Sequence, residues 1–201
     1  MLAIFKREFK SYFQNVIGWL FVAALLAVYG LYFYVYNLKN GYPYISYDLK
    51  GIGFIMMIAV PILTMRSLSD EKKTKTDQLM LTSPVSVGRI VAGKYFAMAA
   101  VYTIDIALFA LSPLVLSIYG KVALSEAYVA LFGYWLYGLS CIAVGIFISS
   151  ISESVIISAI LTFAALFLSY MMQSITGLIS SSGNLLTKVL NCFDLYLSLI
   201  H

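Results

Sequence analysis

Residues 16–36, VIGWLFVAALLAVYGLYFYVY, carry no charged side chain over a length sufficient to cross a hydrocarbon core. In lipid, every peptide N–H and C=O must find its partner inside the segment, so a run of this kind is either a helix or part of a closed barrel. Further apolar runs follow at 51–68, 95–119, 127–150 and 154–176. All are far longer than barrel strands, which predicts an all-α integral membrane protein with about five membrane-spanning helices in one domain, 1–201. Composition excludes the alternative of a soluble helical domain. Of the 201 residues, 62% are hydrophobic and 11% charged, whereas soluble domains carry about 25% charged residues. The first run is not a cleavable signal, because it is too long and no small-residue cleavage site follows GLYFYVYN.

Two further segments have amphipathic spacing. In MLAIFKREFKSYFQNV, Leu2, Phe5, Phe9, Tyr12 and Val16 recur at helical intervals, while Lys6, Arg7 and Lys10 fall on other faces. This predicts an interfacial helix over 1–15, lying on the bilayer before the first crossing. Near the other end, Leu186, Leu190, Phe193 and Leu197 form a stripe within 184–200. Lys188, Asn191 and Asp194 interrupt it, so an external amphipathic segment is preferred there to a sixth crossing.

The basic residues set an expected orientation. Lys6, Arg7 and Lys10 precede the first span, and Arg66, Lys72, Lys73, Lys75, Arg89 and Lys94 lie between the second and third. The other side receives only Lys39, Lys50, Lys121 and Lys188. By the positive-inside rule, the N-terminus and the 66–94 connection are cytoplasmic, in a multi-pass cell-membrane protein. Tyr42, Tyr44 and Tyr47 then belong to the outer aromatic belt.

Several functions are disfavoured. The net charge of +4 is distributed between apolar runs and presents no basic face for nucleic acid. Cys141 and Cys192 make neither a disulfide framework nor a metal site, and His201 is the only histidine. GRIVAGKY, from Gly88 to Tyr95, fits the first seven positions of a phosphate loop but has Tyr95 where a magnesium-binding hydroxyl is needed. No strand precedes it. Gly93 there is expected to serve close helix packing, and Lys94 to mark the membrane boundary. The chain is therefore expected to have no catalytic, cofactor or metal site of its own.

The connection RSLSDEKKTKTDQLMLTSPVSVGRIVAGK is the substantial cytoplasmic segment. Glu71 and Lys75 stand four apart, and Asp70 and Lys73 three apart, favouring a charged helix over 69–83 that Ser69 can cap and Pro84 ends. Leu79, Met80 and Leu81 leave an apolar tip that a solvated linker does not need. Two readings stand: a linker whose charges fix topology, or a docking helix that carries a partner's movement into the bilayer.

The region TMRSLSDEKKTKTDQLMLTSPVSVGRIVAGKYFA resembles the signature region of type-2 ABC transporter permeases, in the gliding-motility-associated and related bacterial branch. Met65, Arg66, Glu71, Lys72, Thr76, Leu79, Leu81, Ser83, Pro84, Val85, Gly93 and Lys94 fall on that pattern, and Lys75 stands where many members have Gly. The resemblance implies that 69–83 is a coupling helix. It would dock on a separate ATPase through Glu71, Lys72, Thr76, Asp77, Gln78, Leu79, Leu81 and Pro84, with Lys6, Arg7 and Lys10 adding contact. It further implies two permease chains, identical or homologous, and two ATPases that bind ATP and magnesium in their own sites. Family members usually cross six times and end in the cytoplasm, whereas this sequence stops after the external segment. Either a sixth span is missing from it or this member is shorter.

Asp105 is the one ionisable residue well inside any predicted span, about 16 Å along the helix from Lys94. Lipid cannot solvate it, so it faces the bundle, water or a partner. It either lines a translocation path or chain interface, or packs with a hydrogen bond; Tyr102, Thr103 and hydroxyls on other helices are the candidate donors. Gly133, Gly138, Ala143, Gly145 and Ser149 make the fourth span rich in small residues, which favours close packing. The function expected from all of this is a permease subunit of an ATP-driven exporter. The alternative is a membrane anchor or mechanical transmitter that the same ATPase drives against an external protein partner, with nothing crossing.

Overall fold

The computed structural model describes residues 2–41, 45–69, 86–119 and 123–179. Among them every regular element is helical: α1 (Leu2–Gln14), α2 (Val16–Phe33) continuing into a π-helical turn (Tyr34–Lys39), α3 (Ile45–Thr64), α4 (Val87–Phe109), α5 (Ser112–Tyr119), α6 (Leu124–Ile151) and α7 (Val155–Ile179). The segments Val16–Lys39, Ile45–Thr64, Val87–Ile118 and Leu124–Ile151 are long and apolar enough to cross a membrane, and α7 is apolar over Val155–Met171. The protein is an all-α integral membrane protein. The predicted coupling helix at 69–83, with Glu71, Lys72, Thr76, Asp77, Gln78, Leu79, Leu81 and Pro84, lies outside the described residues apart from Ser69, as does the 184–200 segment.

α3 is the most enclosed of these helices and packs against α2, α6 and α7. Its buried stripe, Ile45, Leu49, Ile52, Met56, Val60 and Leu63, advances by three or four residues, while Phe54 and Ile58 face outward. α4 lies on α1, α2 and α6. Because lipid tails are as apolar as leucine, such contacts depend on close van der Waals fit, which small residues permit. Two glycines of α6 show this. A methyl group on Gly138 would overlap the fully buried Tyr102 ring, and one on Gly145 would come within 2.9 Å of Thr64 Cβ.

Four expectations from the sequence need correction. The third span starts at Val87 rather than at 95, and it breaks between Phe109 and Ser112 instead of running unbroken to 119. Pro113 has no N–H for the Phe109 carbonyl, and its ring would press on that group. The Ser112 hydroxyl donates to it instead, at 2.7 Å. The second crossing begins six residues before position 51, which brings Asp48 into the first turn of α3, fully buried. Asp105 is thus not alone among carboxylates enclosed by the helices. Finally, Val16 does not continue the α1 stripe: α1 ends at Gln14, and Val16 opens α2 with 74% of its surface exposed.

Candidate functional site

The 69–86 connection leaves α3 and returns to α4, and its base is fastened to three other helices. The peptide N–H groups of Leu68 and Ser69 both donate to Ser149 Oγ of α6, each at 3.2 Å. The Ser69 hydroxyl donates back to the Met65 carbonyl. From α4, Lys94 Nζ donates to the Ser67 carbonyl at 2.8 Å and lies 3.6 Å from Glu8 Oε1 of α1. Glu8 also pairs with Arg7 at 2.8 Å. The end of α3 therefore cannot move without carrying α6, α4 and α1 with it.

The physical reasons for this clasp are local. The last carbonyls and the following amides of a helix have no partner within it, so those beyond Thr64 must be satisfied from outside. Ser149 is short enough to sit against the backbone where the small residues of α6 bring the helices together. Lys94 is about 3% exposed at its side chain. A buried ammonium is tolerated only with hydrogen-bond acceptors and a counter-charge, which the Ser67 carbonyl and Glu8 supply. The residue is a cross-brace rather than the boundary marker expected from sequence. Gly88 to Lys94 occupies the first turns of α4, where the Arg89 and Ile90 amides bond to the Ser86 carbonyl. Gly93 is the point at which α1 rests on α4, since a methyl group there would meet Ile4 Cγ2 at 3.0 Å. Lys6, Arg7 and Lys10 are exposed on α1, while Phe9, Tyr12 and Phe13 pack on the core.

At mid-height, Asp105 is fully buried on the inward stripe of α4, between Tyr102 and Phe109. Neither carboxylate oxygen has a hydrogen-bond partner among the described residues. The donors expected from sequence are committed elsewhere. Tyr102 Oη donates to the Tyr134 carbonyl at 2.7 Å, and Thr103 Oγ1 donates to the Ala99 carbonyl at 2.6 Å.

The opposite end of the bundle has its own polar ties. Asn37 Nδ2, in the π-helical turn, donates to Asp48 Oδ2 of α3. Tyr29 of α2 hydrogen-bonds Ser112 at the α4–α5 break, and its ring stacks on Phe109 with centroids 4.0 Å apart. Glu8, Ser67, Asn37 and Asp48 were not singled out from the sequence. Asp48 carried a readable signal, since it sits beside Leu49 one turn before the buried Ile52.

Comparison with family models decides what kind of membrane protein this is. The model described as ABC-2 family transporter protein matches residues 32–198, most of the chain. The chain belongs to the ABC-2 transporter family. No curated protein and no solved structure matches it. ABC-2 permeases are the membrane-spanning subunits of ABC transporters; they generally work with an ABC ATPase and are not themselves generally catalytic. The long connection at 69–86 and the clasp at its base fall within the matched region of this permease, whereas α1 precedes it.

Proposed function

We propose that this ABC-2 permease receives the stroke of a separate ATP-binding subunit through residues 69–83 and passes it into the bundle through the Ser149–Lys94–Glu8 clasp. The observation that carries the reading is the pair of amides, Leu68 and Ser69, held by one hydroxyl on another helix. A merely solvated linker has no need of such anchoring at its root. Glu71, Lys72, Thr76, Asp77, Gln78, Leu79, Leu81 and Pro84 are the residues we assign to the ATPase contact, with Lys6, Arg7 and Lys10 alongside. The distribution of Lys and Arg supports a cytoplasmic N-terminus and a cytoplasmic 69–86 connection in a bacterial cell membrane.

Two permease chains, the same or homologous, with two ATPases form the working exporter in this reading, and ATP and magnesium reside in the ATPases. The sequence of the 65–94 region supports placement in the gliding-motility-associated branch. Asp105 takes its missing hydrogen-bond partner from the translocated substrate, from water in the path or from the second chain. The reading is tested by reconstituting the chain with its ATPase and replacing Ser149 with Ala. Coupled export should fall about tenfold, equivalent to about 1.4 kcal/mol in the coupling step, while the two subunits still co-purify. Wild-type export in that variant would overturn the clasp as the route of coupling.

A further inference from the structure

An open groove of about 490 Å³ runs between α1, α4 and α6, lined chiefly by Phe5, Tyr95, Phe96, Ala100, Thr103 and Trp135. From Tyr95 to Thr103 it follows α4 for about 12 Å at 1.5 Å per residue, toward the middle of the bundle. Phe96 and Thr103 are exposed, so the groove opens away from the helix core, onto the side that lipid covers.

Its polar atoms are already used. Trp135 Nε1 donates to Thr103 Oγ1 at 3.0 Å, Thr103 Oγ1 donates to the Ala99 carbonyl, and Tyr95 Oη donates to the Leu139 carbonyl at 3.3 Å. What enters must therefore be apolar along its length. The end of the groove at Phe5 has the opposite character. Lys6 follows Phe5 in the chain, Lys10 lies one turn beyond, and both are exposed. Glu8, the acid of α1, is occupied by Arg7 and Lys94. This end presents uncompensated positive charge directly beside an apolar slot, a combination suited to an amphiphile with an anionic head.

We infer that this groove is a binding site for one anionic phospholipid, with an acyl chain against Ala100, Thr103 and Trp135 and the headgroup phosphate at Lys6 and Lys10. The inference requires α1 to lie at the bilayer surface, and it is independent of whether 69–83 couples to an ATPase. An anionic lipid seated there would touch α1, α4 and α6 at once, the three helices that the clasp joins. Membrane composition would then act on the clasp.

The chain contains two tryptophans, and Trp135 is the one in the groove. The full chain carrying Trp19→Phe makes it the sole reporter. In phosphatidylcholine vesicles containing a small fraction of acyl-brominated lipid, Trp135 fluorescence should be quenched at least threefold more by brominated phosphatidylglycerol than by brominated phosphatidylcholine. The reciprocal variant, Trp135→Phe, leaves Trp19 on the exposed side of α2 and should show no such preference. Lys6→Gln with Lys10→Gln, both at exposed positions where folding is insensitive, should abolish the difference while leaving quenching by phosphatidylcholine unchanged. Ala100→Phe should reduce quenching by both lipids. Equal quenching by the two lipids in the parent would overturn the headgroup site. Absence of quenching by either would overturn the lipid assignment and show that protein covers the groove.

Discussion

Gly138 and Asp105 lie on facing helices, and each is intolerant of a change that looks mild in sequence. A β-carbon at 138 would overlap the Tyr102 ring, which is fully enclosed and tied through its hydroxyl to the Tyr134 carbonyl. The ring cannot swing aside. Gly138→Ala should cost about 1–3 kcal/mol, the range for forcing extra volume into a packed core. A denaturing-detergent titration of helicity would register it as an earlier midpoint; an unchanged midpoint would mean the helices separate freely at that level. For Asp105 the expected failure is functional. Its oxygens find no donor among the described residues, so the side chain is not a structural tie within the single chain. Asp105→Asn should preserve assembly and helicity and lower ATP-dependent export at least tenfold, about 1.4 kcal/mol of barrier. Export at the parent rate would make the residue a passive occupant of its site. Both residues were visible in the sequence, Asp105 as an isolated carboxylate and Gly138 within a small-residue series. What could not be read there was which group each one meets, because Tyr102 and Gly138 are brought together only by the pairing of α4 with α6.

Among the elements, α1 depends most on a few contacts. It rests on α4 at Gly93 and is held by Glu8 against Lys94, while its Phe9, Tyr12 and Phe13 pack on the core. A double-mutant cycle with Glu8→Gln and Lys94→Gln should give a coupling energy of about 0.5–3 kcal/mol, measured as the shift in thermal midpoint of the detergent-solubilised protein. Additive effects would mean that the pair contributes nothing to docking α1. The existence of α1, and of long helices elsewhere, was legible because hydrophobic spacing and the absence of charge act over many residues. Breaks and starts were less so. Ser112–Pro113 is a clear stop signal within an apolar run, yet run length masked it. Asp48 and Lys50 made the chain before Gly51 look external. In the fold, Asn37 accepts Asp48 into the interior, and Lys50 stays exposed on the other side of the same turn. Lys94 was obscured for the same reason: its acceptor, the Ser67 carbonyl, is a backbone group and leaves no trace in residue type.

At the scale of the whole molecule, the polar ties gather at the two ends and the middle is held by apolar fit. Ser149, Lys94 and Glu8 fasten one end, and Asn37, Asp48, Tyr29 and Ser112 fasten the other. α3 reaches both. A pull on its Ser67–Ser69 end is therefore delivered along a stiff helix to Asp48 and to the turn that follows α2. Charge reversal at Glu71 or Asp77 should weaken co-purification with the ATPase about fivefold or more, which is about 1 kcal/mol, and lower ATPase stimulation in parallel. Retained affinity in both variants would place the ATPase contact outside 69–83. Because the ties at the far end involve none of these residues, the Tyr29–Ser112 and Asn37–Asp48 pairs should survive such variants unchanged.

The π-helical turn at Tyr34–Lys39 carries a consequence for length variation. Such turns bond one residue further along the chain than an α-helix does, so they hold a surplus residue. Removing one residue from 34–36 would let ordinary α-helical winding resume and rotate everything after it by about 100°. Asn37 would swing off Asp48 and leave that carboxylate stranded. Single deletions at this point should therefore be poorly accepted in homologues that keep an acid at the position of Asp48, and compensated where that acid has been lost.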